Sequence, residues 1–111
     1  MPLISIETNQ LLENNDSLKS ISSAVAKLLG KPESYVMLKY EHNVNMLFAG
    51  NNQALAHIKL KSLGLPENKT TLFSKELCLL MKTYFNVPSN RIYIEFSNPE
   101  RHLWGWDSAT F

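Results

Sequence analysis

The chain states one pattern twice, 56 residues apart, and that repetition limits the folds open to it. Val36, Leu38 and Tyr40 return as Ile92, Ile94 and Phe96, while Ile21, Val25, Leu28 and Leu29 return as Leu77, Met81, Tyr84 and Phe85. The first set alternates, as a half-buried strand does; the second recurs every three or four residues, as one face of a helix does. At the same offset Pro32 falls on Pro88, Leu47 and Phe48 fall on Leu103 and Trp104, and Ile58-Lys59-Leu60-Lys61 falls on Pro2 to Ser5. Each half therefore reads strand, helix, strand and short extra strand, over about residues 2–50 and 58–106 of a single domain spanning 1–111.

Punctuation between the elements supports this. Leu3 to Glu7 predicts a strand, Asn14-Asn15-Asp16-Ser17 supplies helix-capping residues, and Gly30 with Pro32 beyond it ends the first helix. A second strand is expected over Tyr35 to Glu41, and a short apolar piece, Met46 to Ala49, precedes a turn at Gly50-Asn51-Asn52. A helix joining two strands of one sheet makes them parallel through a right-handed crossover. Two such units side by side predict an α+β fold, a four-stranded sheet with two helices on one face. The helix side takes Ile4, Ile6, Val36, Leu38, Tyr40, Ile58, Leu60, Ile92, Ile94 and Phe96; the other side takes Leu3, Tyr35, Met37, Leu63 and Tyr93 among polar residues. That second face is too apolar to meet water throughout, which predicts contact with further copies of the chain. Edge strands and the two short strands meeting head to tail favour a closed ring over a dimer.

Composition removes several functions. Lys and Arg total 11 against 10 for Asp and Glu, so no basic surplus draws nucleic acid. No apolar run approaches the roughly 20 residues of a membrane span, and the N-terminus lacks the blocks of a secretory signal. The one cysteine, Cys78, excludes an internal disulfide and suits a reducing, cytoplasmic setting. His42, His57 and His102 lack metal-ligand spacing and read as surface or loop residues; no metal and no cofactor is expected. No Gly-x-Ser-x-Gly elbow supports acyl transfer.

Pro2 stands out. If Met1 is removed, its nitrogen becomes a free secondary amine at the head of a strand, with its direction set by the ring. An ordinary α-amino group titrates at about 7.7–8.0. Desolvation and a nearby cation lower that value into the range of a general base at neutral pH.

Met1-Pro2, the βαβ repeat, Gly30-Lys31-Pro32, Ser62-Leu63-Gly64, Ser74-Lys75 before Leu77-Cys78, Arg91-Ile92-Tyr93-Ile94, and Gly105-Trp106 through Phe111 together resemble the tautomerase superfamily. The nearest likeness is to the macrophage migration inhibitory factor family, over essentially the whole chain. The resemblance implies a homotrimer with active sites at subunit boundaries and keto–enol isomerisation of α-keto acids such as phenylpyruvate. It implies Pro2 as catalytic base, Lys31 as the carboxylate anchor, Leu63 as pocket lining, Tyr93 reaching in from an adjacent subunit, and Trp104, Trp106 and Phe111 as an apolar wall. Two positions depart from the family pattern. Glu95 stands where relatives often carry an amide, and on Tyr93's face it opposes an anionic substrate or pairs with Lys31 across the subunit boundary. Trp104 replaces smaller aliphatic residues and is expected to narrow the pocket, so reduced activity is expected. The mammalian Cys-x-x-Cys segment is represented by Leu55-Ala56-His57-Ile58, which carries no dithiol chemistry. A cytokine-like trimer that binds a protein receptor and keeps a vestigial pocket is the alternative, and non-classical secretion would accompany it.

Overall fold

A computed structural model describes residues 1–111. In chain order it contains β1 (Leu3–Thr8), α1 (Asp16–Leu29), β2 (Met37–His42), β3 (Ala56–Lys61), α2 (Thr70–Phe85), β4 (Ile92–Ser97) and a small hairpin of β5 (Gly105–Trp106) and β6 (Ala109–Thr110). The architecture is α+β, with one four-stranded sheet in the order β2-β1-β3-β4. β1 pairs parallel with β2, and β3 pairs parallel with β4, each across its own helix. The two units join in the middle, where β1 and β3 run antiparallel.

Alternation sorts the strands' side chains. Ile4, Ile6, Ile58 and Leu60 point to the helices and pack with Ile21 and Val25 of α1 and Phe73, Leu77, Met81 and Phe85 of α2 in a single core. Each fully buried large aliphatic or aromatic side chain there stabilises the fold by about 1.5–3 kcal/mol before the entropy of ordering it is subtracted. Val36, Leu38, Tyr40, Ile94 and Phe96 complete this face as partly buried residues. No helix is long and apolar enough to cross a membrane.

Helix ends follow local chemistry. Gly30 adopts the left-handed conformation at φ 63° and closes α1, with its N–H and that of Lys31 returned to Lys27 and Ala26 carbonyls. Asn86 does the same for α2 at φ 55°, and Lys82 Nζ donates to its side-chain oxygen at 3.0 Å. At the start of α1 it is Asn14 whose carboxamide oxygen accepts, from the Asp16 N–H at 2.9 Å; Asn15 makes no capping bond.

Three expectations need correction. β2 begins at Met37, because Glu33–Tyr35 form a single 3-10 turn after Pro32. Phe48 makes only one bridge, to Asn51, because Ala49 (φ 53°) and Gly50 (φ 78°) reverse the chain at once; the expected strand over Met46–Ala49 is therefore absent. The second short strand, β5, lies at Gly105–Trp106 and not at Leu103-Trp104, where a 3-10 turn ends, and it pairs with the chain's own β6. The pairings also place Ile4 opposite Leu38 and Ile58 opposite Ile94, so Ile58 matches Ile4 and not Pro2. A slip of two residues preserves side-chain parity, and the faces of the first strands came out right despite it.

Arg91 ties the long connection between β2 and β3 to the body. It is 8% exposed and has no carboxylate partner. Its Nε donates to the Ala54 carbonyl at 3.0 Å, and Nη2 donates to the carbonyls of Asn51 and Gln53, both at 3.2 Å. Its guanidinium lies 5.2 Å from the centre of the Phe48 ring, which in turn packs edge-on against Tyr93.

Candidate functional site

The head of β1 lies in the middle of the sheet, flanked by β2 and β3. There Pro2 is fully buried, and its carbonyl accepts the Met37 N–H at 3.0 Å, which fixes the ring through the sheet ladder while its nitrogen takes no part in pairing. Met1, Pro2, Leu3, Ser34 to Met37, Trp104, Gly105 and Trp106 enclose a cleft of about 230 Å³. Seven of its ten lining residues are hydrophobic, so a charge that enters is poorly solvated.

The N-terminal ammonium on Met1 shows that effect. Its pKa is lowered from the usual 8.0, first because burial desolvates the charged form and second because the Lys31 ammonium repels it. Lys31 follows Gly30 directly, so the left-handed helix stop turns the chain toward the end of the sheet where Pro2 begins. No acidic oxygen lies within 4.0 Å of its ammonium.

The C-terminal hairpin forms the aromatic wall. Trp106 stacks on Phe111 with ring centres 6.2 Å apart and planes 9° apart, and it meets Tyr35 edge-on at 5.8 Å. The Phe111 N–H donates to the carbonyls of Arg101 and Trp104, which closes the end of the chain over the wall. Trp104 lines the cleft, and Lys61 Nζ lies 5.0 Å from its ring centre.

One chain therefore gathers Pro2, Lys31, Trp104, Trp106 and Phe111 at one end of the sheet. Tyr93 and Glu95 stand elsewhere, on the edge strand β4; Tyr93 shares a cross-strand row with His57 and Glu7, four residues along β1 from Leu3. Tyr93 is 68% exposed. Leu63, expected on the open face, is buried, because the turn over Ser62–Leu65 with Gly64 at φ 67° folds it inward; it does not line this cleft. Within the chain Glu95 pairs with His57. His57 is thus a strand residue with an acidic partner and not a loop bystander. Two groups escaped the sequence reading. Lys61 was legible in principle, since alternation along β3 puts it on the open face opposite Leu3. Arg91 was read only as part of a family motif.

A larger hollow of about 550 Å³ opens on the sheet's free face, lined by Ser5, Glu7, Lys39, Glu41, His57 and Lys59 among others. Its lining is mostly polar and lacks an α-amino group, so the smaller cleft is the better candidate for proton transfer. No group of three or more His, Cys, Asp or Glu side chains is arranged to hold a metal ion.

Comparison with known proteins gives a consistent result. The family model described as macrophage migration inhibitory factor matches residues 1–111. The macrophage migration inhibitory factor homolog of Brugia malayi is 36% identical over 115 residues, covering 100% of this chain and 99% of that protein. Macrophage migration inhibitory factor of Xenopus tropicalis is 30% identical with the same coverage. Among solved structures, the homologue from Prochlorococcus marinus superposes with a TM-score of 0.90 at 37% identity, covering 98% of each chain. The Trichinella spiralis protein superposes at 0.92 with 29% identity, covering 98% of this chain and 99% of that one.

Proposed function

The chain belongs to the macrophage migration inhibitory factor family, and from that premise we propose that it is a tautomerase whose base is the amine of Pro2, freed by removal of Met1. The observation that carries the reading is the place of Pro2, buried at the head of β1 in an apolar cleft where burial and then Lys31 lower the pKa of the chain's amine. Removal of Met1 would free the proline nitrogen in the same cleft, which Met1 and Pro2 both line.

The reaction is an isomerisation in which atoms and electrons balance. The unprotonated amine takes a proton from the carbon next to the keto group of an α-keto acid such as phenylpyruvate; the C–H pair becomes the C=C bond, and the carbonyl pair moves to oxygen, which then takes a proton. Lys31 attracts the substrate carboxylate and keeps the amine deprotonated, two effects of one charge. The Trp104–Trp106–Phe111 wall excludes water, which strengthens both effects. Positioned proton transfer of this kind contributes about 10²–10⁴-fold.

Tyr93 and Glu95 reach such a cleft only from another copy of the chain, and both β2 and β4 are open sheet edges. We read the working form as a homotrimer on that ground, with Tyr93 and Glu95 completing the site at the boundary. A cytoplasmic setting suits the free thiol of Cys78.

The test combines intact mass, which shows whether Met1 is lost, with a keto–enol assay on the wild type, Pro2→Gly and an alanine inserted before Pro2. Loss of turnover in both variants supports the amine. Unchanged turnover in the insertion variant excludes it. An inactive wild type with a processed N-terminus favours the protein-binding trimer instead.

A further inference from the structure

Two ammonium groups stand beside the residues that line the cleft, and neither has an acidic partner within 4.0 Å. Lys31 acts on the N-terminal amine. Lys61 arrives from the other side of β1, opposite Leu3, and lies over the Trp104 ring. The molecule's two ion pairs, His57–Glu95 and His102–Glu100, involve neither lysine. Glu95 shares a hollow of about 310 Å³ with Lys61, yet its carboxylate is engaged by His57.

Trp104 gives Lys61 a fixed place. An ammonium over an indole face gains about 0.5–2 kcal/mol, enough to restrain a long flexible stem that otherwise loses about that much on ordering. The ring engages the charge without taking up its hydrogen-bond donors, so these remain available for a ligand oxygen. The charge pattern of the open face points the same way. Lys61 stands in the row of Leu3, Lys39 and Lys59 stand in the next row beside Ser5 with Glu95 at its edge, and Glu7 and Glu41 follow in the row beyond. The positive end of the sheet is the end that holds Pro2, and a doubly charged anion is drawn toward it more strongly than a singly charged one.

We propose that the cleft takes dicarboxylic α-keto acids, with Lys31 on the carboxylate beside the keto group and Lys61 on the distal carboxylate, which makes Lys61 a specificity-determining residue. The proposal rests on the tautomerase reading for its chemistry, but not for its binding geometry. In that assignment Trp104 is a platform that holds the second cation, and the space it removes is space an aryl group would need.

The experiment uses protein whose N-terminal processing is verified by mass, in wild-type, Lys61→Met and Lys61→Arg forms. Enolisation of oxaloacetate and of phenylpyruvate is followed by absorbance, and binding of succinate and of 3-phenylpropionate is followed by calorimetry. Loss of the distal contact is expected to raise KM for oxaloacetate about tenfold more than KM for phenylpyruvate, and to weaken succinate about tenfold more than 3-phenylpropionate. Lys61→Arg is expected to restore most of both ratios. Ratios within twofold of wild type in Lys61→Met would overturn the assignment while leaving Pro2 chemistry intact. Lys61-dependent succinate binding by a protein that turns over neither keto acid would sustain the dicarboxylate site and sink the tautomerase reading alone.

Discussion

Replacing Arg91 with methionine removes three hydrogen bonds and keeps most of the buried aliphatic stem. Hydrogen bonds to a charged group contribute about 1.5–3 kcal/mol each, so a simple sum reaches about 4.5–9 kcal/mol. Two corrections reduce it. Asn51 and Gln53 are exposed, so their carbonyls regain water once the guanidinium is gone. The variant also no longer buries a charge without a carboxylate partner, which recovers part of a desolvation penalty of several kcal/mol. The expected net loss is about 2–3 kcal/mol, equivalent to a fall in Tm of about 10 °C for a domain of this size. Thermal and urea unfolding by circular dichroism, at fixed protein concentration because an assembled form is stabilised by mass action, measure it. Lys at the same position keeps the charge but not the forked geometry, and is expected to recover less than half. Arg91→Met within about 0.5 kcal/mol of wild type would show that the β2–β3 connection holds its shape without this anchor.

Four further outcomes follow from the same structure. Glu95→Asn is expected to raise kcat/KM on phenylpyruvate about threefold through a lower KM, since it removes a negative charge from the β4 face; an unchanged KM would show that this carboxylate never faces substrate. Lys31→Met removes the repulsion that, after desolvation, holds down the proton affinity of the N-terminal amine, so the acid limb of the pH–rate profile should move to higher pH; a stationary limb refutes the coupling. Gly30→Ala is expected to cost about 1 kcal/mol by denaturant titration, because a Cβ there meets nothing within 4 Å and only the left-handed backbone at φ 63° is strained. The Cys78 thiol, pushed up by burial, should react with a maleimide at neutral pH more slowly than free cysteine; an equal rate would contradict its partial burial.

What the sequence made legible was whatever depends on parity and on local stops. The alternation of Val36, Leu38 and Tyr40 and the left-handed Gly30 are both properties of a few neighbouring residues, and the helix and strand faces follow from them. The antiparallel join of β1 to β3 was not legible, because strands of two separate units carry no mark of their mutual direction. Met46–Ala49 misled because apolar content marks burial, whereas a strand also needs several residues before a reversal. Leu63 misled because alternation was continued past the end of β3 into a turn. At the site, Pro2 was singled out by its chemistry and Lys31 by the family resemblance. The His57–Glu95 pair and the Lys61–Trp104 contact depend on strand registers that a repeat offset misplaced by two residues.

Both extremities of the polypeptide converge on one hollow: Met1 lines it, and Phe111 braces the indole of Trp106 that forms its side. On the reading that Pro2 is the base, an affinity handle fused ahead of Met1 would plug the opening and keep that nitrogen an amide, and one fused behind Phe111 would pull at the opposite wall. Handles commonly treated as neutral would thus act here as inhibitors of different kinds, and a silent preparation would report on its tag before it reported on the protein.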